Sequence, residues 1–165
     1  MRSLEWVAVF YGPYGNIGMT ECLTTNTPIW RPPEANWTKL NVDASNDNYK
    51  AGCAIVSRDT DVQFKVCGTK YQAVLNPIEA ETRAVLLSYE FAVMSGIQNV
   101  IIESDAEKVI KMLTDEKIQI PWRLLQIFNQ IRAQSRKLNA AKFSYIKRDG
   151  NSVAHSLEKY ALSNH

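Results

Sequence analysis

The sequence predicts one domain of mixed α/β (α+β) type, in which helices cover the faces of a five-stranded mixed sheet. Two patterns lead to this prediction: three strand-like segments follow one another across short turns, and strand-like and helical segments then alternate. Short connections favour antiparallel pairing, whereas strands separated by a helix favour parallel pairing. The predicted order of elements is β-β-β-α-β-α-α-β-α.

The first three strands are predicted from alternating apolar and polar residues between turn-forming breaks. The alternation is clearest in Trp37–Ser45, where Asp43 lies on the polar face. Two more strand-like segments, Ala51–Arg58 and Val62–Lys70, follow across a polar turn around Thr60. These short connections predict an antiparallel meander at the start of the sheet.

The rest of the domain is predicted from helical spacing of apolar residues, interrupted by two short apolar strands. The predicted elements are helix Ile78–Gly96, strand Gln98–Ser104, helix Ala106–Thr114, helix Pro121–Leu138, strand Lys142–Lys147 and helix Asn151–Ser163. The helix Pro121–Leu138 is amphipathic, with Leu124, Leu125 and Phe128 on its apolar stripe. Either Asn151 or Ser152 is placed to cap the last helix.

The first 36 residues differ from the rest and are predicted to be a leader or linker that is partly ordered at best. They contain turn-forming stretches and the extended segment Arg31-Pro32-Pro33. A short strand at Trp6–Tyr11 is compatible with the pattern. The predicted domain then runs over residues 37–165.

Three cysteines, Cys22, Cys53 and Cys67, cannot form an even disulfide framework, and none has zinc-site spacing. We therefore expect reduced thiols and an intracellular protein, in the nucleus, the cytoplasm or an organelle. If the hairpin of Ala51–Arg58 and Val62–Lys70 turns at Thr60, Cys53 and Cys67 lie near each other across it. No apolar run approaches the roughly 20 residues that span a bilayer, so no membrane partner is expected.

Charge is distributed unevenly along the chain. Residues 121–148 hold seven of the 19 basic side chains and none of the 17 acidic ones. A solvated helix face explains most runs of this kind, but a run without any acidic residue also favours phosphate binding. The basic side chains that we expect to contact a nucleic acid are Arg123, Arg132, Arg136 and Lys137.

Three carboxylates stand where strands end or helices begin: Asp43, Glu81 and Asp105. Ligands gather at such places in α/β sheets, and converging carboxylates would hold Mg²⁺ or Mn²⁺. Simpler readings remain open, because a strand-end Asp often caps a helix and a Glu near a helix start balances the macrodipole. Glu79 and Glu81 lie roughly 200° apart on a helix. We expect Glu81 in the site and Glu79 further towards solvent.

The motifs together resemble the plant-type RNase H-like domain, the branch of the RNase H superfamily that is related to retrotransposon sequences. The resemblance covers about residues 30–162 and rests on the segments WTKLNVDAS, AGCAIVSRD, EAETRAV, VIIESDAEKVI and RDGNSVAHSLEKYAL. It implies the RNase H fold and cleavage of the RNA strand of RNA–DNA hybrids with two Mg²⁺ or Mn²⁺ ions.

The resemblance also implies roles for single residues. Asp43 would bridge the two ions, and Glu81 and Asp105 would each complete one. His155 stands where many RNases H have a fourth acidic residue. It could bind a metal as a neutral imidazole, contact a metal-bound water, transfer a proton, or be an exposed helix residue. Contacts to the RNA 2′-hydroxyl, which distinguish RNA from DNA, are expected from Asn46 and Asn76.

The sequence thus supports three hypotheses in different classes. The first is a metal-dependent endoribonuclease that acts on hybrids, and the intact carboxylate set favours it. The second is a catalytically weak or inactive module that binds nucleic acid, and His155 leaves room for it. The third is a protein-interaction domain.

Overall fold

The computed structural model of the protein describes residues 7–9, 31–47, 50–58, 64–152 and 154–155. Along this part of the chain there are six strands, three α-helices and two 3₁₀ turns. In chain order they are β1 (Val7–Val9), β2 (Thr38–Asp47), β3 (Lys50–Arg58), β4 (Phe64–Ala73), α1 (Pro77–Met94), β5 (Asn99–Ser104), α2 (Glu107–Thr114), a 3₁₀ turn (Trp122–Leu124), α3 (Leu125–Ser135), β6 (Ala140–Tyr145) and a second 3₁₀ turn (Arg148–Asn151).

The strands form one mixed sheet in the order β1-β4-β3-β2-β5-β6. The meander β2-β3-β4 is antiparallel, and β5 and β6 add to it in parallel on the other side of β2. The predicted fold class and the five predicted strands are confirmed. The short strand β1 lies within the predicted Trp6–Tyr11 segment and pairs with the outer edge of β4.

Two local predictions were wrong. Cys53 pairs with Lys70 and Cys67 with Val56, so the two cysteines are not opposite each other. Arg58 pairs with Phe64 and Ser57 with Val66, with an irregularity between these pairs, and neither pair fits a hairpin centred on Thr60. Cys53 is buried and forms no disulfide, as expected.

The second error concerns the start of the long helix. Residues 122–124 form a 3₁₀ turn rather than an α-helical one, which changes the rotation of the side chains that follow. Leu124 and Phe128 are each 2% exposed, whereas Leu125 is 45% exposed and Trp122 is 75% exposed. The predicted apolar stripe therefore loses Leu125.

Helix α1 covers one face of β2 and β3 and carries the main core. Leu40 and Val42 of β2 are fully buried there, as are Ala84 and Val85 of α1. Helix α3 packs on α1 through Phe128 and its buried neighbours. At the other side of α1, the ring of Tyr89 meets Phe143 of β6 edge to face, at 6.2 Å between centroids.

The opposite face of the sheet is polar near β2 and β5, because side chains alternate between faces along a strand. Lys39 Nζ lies 2.9 Å from Glu103 Oε1, and both side chains are less than a tenth exposed. Asn41 Nδ2 donates to Glu103 Oε2 over 3.0 Å. Lys39 Nζ also donates to the Arg31 carbonyl over 2.7 Å, which holds the segment before β2 against this face.

The predicted last helix lies mostly outside the described residues. Ser152, Ala154 and His155 are helical, and residues 156–165 are beyond the described part. The predicted division of the chain at residue 36 stays a prediction. Among the described residues, no helix combines the length and the apolar character needed to cross a bilayer.

Candidate metal centre and nucleic-acid interface

Asp43 reaches the site from the centre of the sheet. It follows Val42, which forms the last pair of the parallel β2–β5 ladder with Ser104. Asp43 is 3% exposed. One carboxylate oxygen, Oδ1, accepts the N–H of Ala44 over 2.9 Å, which fixes the orientation of the side chain.

Asp105 reaches the same place from the end of β5. Because β2 and β5 are parallel, their carboxyl ends meet at one edge of the sheet, and Asp43 and Asp105 each follow the last paired residue. The alternative role for Asp105 as a helix cap was wrong. The N-cap of α2 is Ala106, and no side chain caps that helix end by a hydrogen bond.

Glu81 is presented by the N-terminal part of α1, whose start is firmly held. Asn76 is the N-cap and its side chain accepts the N–H of Glu79 over 2.9 Å. Glu79 folds back, so that Oε2 accepts the N–H of Leu75 over 3.0 Å and Oε1 accepts two N–H groups of Arg83 over 2.9 and 2.7 Å.

The expected exposure of the two glutamates was therefore wrong. Glu79 is 9% exposed because it bonds back to the start of α1 and is covered by Arg83. Glu81, which we expected in the site, is partly exposed. The spacing argument had correctly placed the two side chains on different sides of the helix, but it could not show that Glu79 would fold back.

Asp43, Glu81 and Asp105 converge on one point. Each offers a carboxylate oxygen, and the three oxygens lie within 4.8 Å of one another. Like charges this close repel each other unless a cation lies between them. Three oxygen ligands with one buried and two partly exposed members suit a hard divalent cation with coordination positions left for water or phosphate. The donor set thus fits Mg²⁺ or Mn²⁺.

His155 lies beside this cluster and not on an outer helix face. Its Nδ1 is 3.0 Å from Asp43 Oδ2, and its side chain is 22% exposed. A guanidinium nitrogen of Arg148 is 3.4 Å from both nitrogens of the imidazole ring. Arg148 is exposed and has no carboxylate partner among the described residues. One acidic cluster is therefore bordered by an imidazole and a cation.

Two residues near the cluster were not predicted to lie there. Asn151, expected at most to cap a helix, is 1% exposed, and its Nδ2 donates to the Val42 carbonyl over 2.8 Å. Arg148 was noted only as part of the basic run. The signal that could have identified both is their position in one motif with His155, because a motif that supplies one site residue often supplies its neighbours.

The predicted nucleic-acid contacts are distributed over different parts of the molecule. Asn46 is exposed near the end of β2, three residues beyond Asp43, and Asn76 is partly exposed at the start of α1. The side-chain oxygen of Asn76 is occupied by capping. Arg123 stacks on the exposed ring of Trp122, with its guanidinium 5.2 Å from the ring centroid.

The basic run does not form one surface. Arg132, Arg136 and Lys137 are exposed at or just beyond the last turn of α3. There the chain turns into β6, and Asn139 N–H bonds to Gln98 at the start of β5. The carboxylates lie at the other end of β5, roughly 20 Å away for six residues of strand. Lys142 lies on the polar face, 4.1 Å from the Trp37 ring centroid.

Comparison with protein families finds one match. The model of the family described as "Reverse transcriptase-like" matches residues 41–161, a range that contains Asp43, Glu81, Asp105 and His155. No curated protein sequence matches the chain.

Several solved structures share the fold. RNase H1 from the archaeon Halobacterium salinarum is 18% identical, with a TM-score of 0.73 over 78% of this chain and 99% of that one. LC11-RNase H1 in complex with an RNA/DNA hybrid is 20% identical, with a TM-score of 0.68 over 77% and 97% of the two chains. The foamy viral protease-reverse transcriptase, also bound to an RNA/DNA hybrid, is 15% identical, with a TM-score of 0.64 over 78% of this chain and 20% of that one. At these identities the likeness establishes the RNase H fold.

Proposed function

Because the chain belongs to the reverse transcriptase-like family of RNase H-like domains, we propose that it is a metal-dependent endoribonuclease that cleaves the RNA strand of RNA–DNA hybrids. The observation that carries this proposal is the convergence of three carboxylate oxygens within 4.8 Å at the end of the parallel β2–β5 ladder.

Asp43, Glu81 and Asp105 are the residues that would hold Mg²⁺ or Mn²⁺, two ions in the presence of substrate. Bound cations of this kind activate a water and stabilise charge on the attacking and leaving oxygens of a phosphodiester. The protein holds Asp43 for this task through the Ala44 N–H. It holds Glu81 through the capped start of α1.

His155 and Arg148 supply the chemistry beside the carboxylates. The His155 ring is held against Asp43 by its Nδ1, 3.0 Å from Oδ2, and its Nε2 lies 3.4 Å from a guanidinium nitrogen of Arg148. Arg148 places an exposed guanidinium next to this ring. Among the described residues Arg148 has no carboxylate partner, and such a guanidinium is suited to contact a phosphate of the bound strand.

The hybrid is the proposed substrate because two structures with the same fold hold RNA/DNA hybrids. Asn46, exposed three residues beyond Asp43, is proposed to contact the RNA strand, as is the amide of Asn76. Arg123 and Trp122 form an exposed cation and ring pair that is suited to a sugar-phosphate backbone. Arg132, Arg136 and Lys137 are proposed as distant phosphate contacts, outside the reach of the cleaved nucleotide.

The proposal is tested by incubating the protein with a hybrid that is end-labelled on the RNA strand, in Mg²⁺ and separately in Mn²⁺. We expect cleavage by the wild type and at least a hundredfold loss in Asp43→Asn, since a positioned metal centre supplies several kcal/mol of transition-state stabilisation. Asp115→Asn is the matched control, because it is the same substitution at an exposed turn beyond α2. Equal rates for Asp43→Asn and wild type would refute the proposal.

One observation favours a second candidate, a nucleic-acid-binding module with weak or no catalysis. His155 and Arg148 place an imidazole and a cation where a further carboxylate would strengthen metal binding, and imidazole is a poorer ligand for Mg²⁺ than carboxylate. This candidate predicts hybrid binding that is unchanged in Asp43→Asn and weakened in the Arg132→Ala/Arg136→Ala double variant, without cleavage in either metal.

A further inference from the structure

We propose that Asn151 is a positioning residue that holds Asp43 and Asp105 at metal-binding distance. The inference rests on the proposed function, because it concerns the same carboxylates, but its evidence is separate. Asn151 lies 109 residues after Val42 in the sequence, and its side chain closes the gap where β2 and β5 part.

The gap arises because the parallel ladder ends at the pair Val42 and Ser104. Beyond Ser104 the chain turns away from β2 into α2. The N–H of Ala106 donates to Ser104 Oγ over 3.1 Å, and the N–H of Glu107 donates to the Asp105 carbonyl over 3.0 Å. Neither of these groups can therefore continue the ladder to β2.

Asn151 takes that place with its side-chain amide. Its Nδ2 donates to the Val42 carbonyl over 2.8 Å and lies 3.4 Å from Asp105 Oδ1. One nitrogen carries two hydrogens, so both contacts can form at once. The amide thus joins the backbone immediately before Asp43 to the carboxylate of Asp105, and the 2.8 Å bond is the stronger of the two.

The surroundings of Asn151 make this contact rigid. Asn151 is 1% exposed, and a buried amide N–H is costly unless it is hydrogen-bonded. Its Nδ2 meets this need, while its buried Oδ1 has no hydrogen-bond partner among the described residues. It ends the 3₁₀ turn Arg148–Asn151, which is closed by the Gly150 N–H on the Lys147 carbonyl over 2.8 Å. Ala154, fully buried, anchors the next turn. His155 follows one helical turn after Asn151, so a single short segment contacts both Val42 and Asp43.

Two separate effects follow from this arrangement. Loss of the amide leaves the Val42 carbonyl without its donor at the point where the chain reaches Asp43. It also removes a polar group from beside Asp105, and outer-shell partners of metal ligands typically change metal affinity about 10–100-fold when they are mutated. We therefore expect Asn151 to act on metal binding and not only on folding.

The experiment is a calorimetric titration of Mn²⁺ into the full chain, as wild type, Asn151→Ala and Asn41→Ala. Asn41 is the matched control, because it is a buried amide, 2% exposed, on the same strand as Asp43, and it donates to Glu103 rather than at the site. We expect Asn151→Ala to bind Mn²⁺ about 10-fold more weakly or worse, and Asn41→Ala to bind within about twofold of wild type. If Asn151→Ala does not fold, Asn151→Ser takes its place, because serine keeps a short hydrogen-bond donor. Its Mn²⁺ affinity should lie between that of wild type and the loss of about 10-fold that is expected for Asn151→Ala.

The outcomes separate this inference from the proposed function. Mn²⁺ affinity of Asn151→Ala within about twofold of wild type, or an equal loss in Asn41→Ala, would overturn the positioning role and leave the proposed function standing. A wild type that binds no Mn²⁺ through Asp43 would overturn both. A selective loss in Asn151→Ala, in a variant with native circular dichroism, supports the positioning role.

Discussion

His155 places a neutral or singly charged ring against Asp43, at 3.0 Å, where a carboxylate would add a further negative charge. The difference matters because the cluster already holds three acidic side chains. Each further carboxylate raises the repulsion in the metal-free protein and the attraction for a divalent cation. The residue at position 155 therefore adjusts the balance between stability without metal and affinity for metal.

Exchange of His155 for Asp is expected to shift this balance in a measurable way. His155→Asp should lower the melting temperature without metal, because four carboxylates then repel one another. It should bind Mg²⁺ about 10-fold more tightly, since carboxylate is the better ligand for a hard cation. Thermal melting with and without Mg²⁺ measures both effects. His155→Asn is the control for loss of the ring alone, and an unchanged Mg²⁺ response in His155→Asp would contradict this account.

Arg148 is expected to contribute to substrate binding through its charge. If Arg148 contacts one phosphate, Arg148→Ala should reduce the slope of log affinity against log salt by about 0.9 for a hybrid substrate. Arg148→Lys retains the charge and should restore most of the slope. Hybrid binding is measured by fluorescence anisotropy at several salt concentrations with Ca²⁺ in place of Mg²⁺. The same slope in wild type and Arg148→Ala would show that Arg148 makes no phosphate contact.

At the scale of elements, the start of α1 determines where Glu81 lies. Asn76 caps the helix and Pro77 occupies its first position, a combination that fixes the helix start. Glu79 accepts the Leu75 N–H through Oε2 and two N–H groups of Arg83 through Oε1. These local contacts hold the turn that carries Glu81 towards Asp43.

Removal of the cap is expected to weaken this element. Asn76→Ala should lower the free energy of unfolding by about 1 kcal/mol, within the range of roughly 0.5–2 found for N-cap residues. Urea unfolding at equilibrium measures the change. Asn129→Ala is the control, because Asn129 is exposed within α3 and alanine is the better helix former there. A loss of stability in Asn129→Ala as large as that in Asn76→Ala would argue against the capping role.

The elements were also the level at which the sequence was most informative. Local periodicity predicted every strand and helix that carries the three carboxylates, since alternation and helical spacing depend on neighbouring residues. Periodicity could not predict that Glu79 folds back, that Leu125 turns outward, or that Cys67 of β4 pairs with Val56 instead of lying opposite Cys53. Each of these depends on a hydrogen bond or a ladder irregularity that leaves no pattern in the residues around it.

The candidate site was predictable for a different reason. Asp43 lies near the end of a predicted strand and Asp105 follows another, and parallel strands bring such positions to one edge of a sheet, so topology predicted that they lie side by side. Asn151 and Arg148 could not be placed in the same way. Their roles depend on contacts that span up to 109 residues of sequence. The sequence was equally compatible with Asn151 as a helix cap and with Arg148 as a charged loop residue.

At the scale of the whole molecule, a buried ion pair links parts of the chain that are distant in sequence. Lys39 of β2 pairs with Glu103 of β5 and also holds the carbonyl of Arg31. Asn41 donates a further hydrogen bond to the Glu103 carboxylate. The pair is thus placed to hold the segment before β2 against the parallel half of the sheet.

Breaking this pair should be more costly than replacing it. Lys39→Met leaves the Glu103 carboxylate buried without its cation, and we expect a loss of about 3–5 kcal/mol of unfolding free energy. The double variant Lys39→Met/Glu103→Leu should recover much of that loss, because two apolar side chains replace two charges. Chemical denaturation of the four proteins in the cycle measures the coupling. A double variant less stable than Lys39→Met would contradict the argument.

Stability at high pH is expected to depend on Tyr89, which lies in the core between α1 and β6. Burial raises the pKa of Tyr89 from 10.0 to about 12. Because the folded state binds the Tyr89 hydroxyl proton more tightly than the unfolded state does, the contribution of this proton to stability is complete below pH 10. It is lost as the pH rises towards 12. A shift of this size corresponds to about 2–3 kcal/mol. Denaturation curves between pH 9 and about pH 12 should show a smaller fall in Tyr89→Phe than in wild type, and equal falls would contradict the assignment.

The central claim is that the carboxylates of Asp43, Glu81 and Asp105 form a metal centre that cuts RNA in a hybrid. The most direct test is cleavage of a hybrid labelled differently on its two strands, with Mg²⁺ or Mn²⁺ and with EDTA. The account predicts metal-dependent products from the RNA strand alone, and none from Asp43→Asn. An intact RNA strand with either metal, while the protein binds the same hybrid, would contradict it.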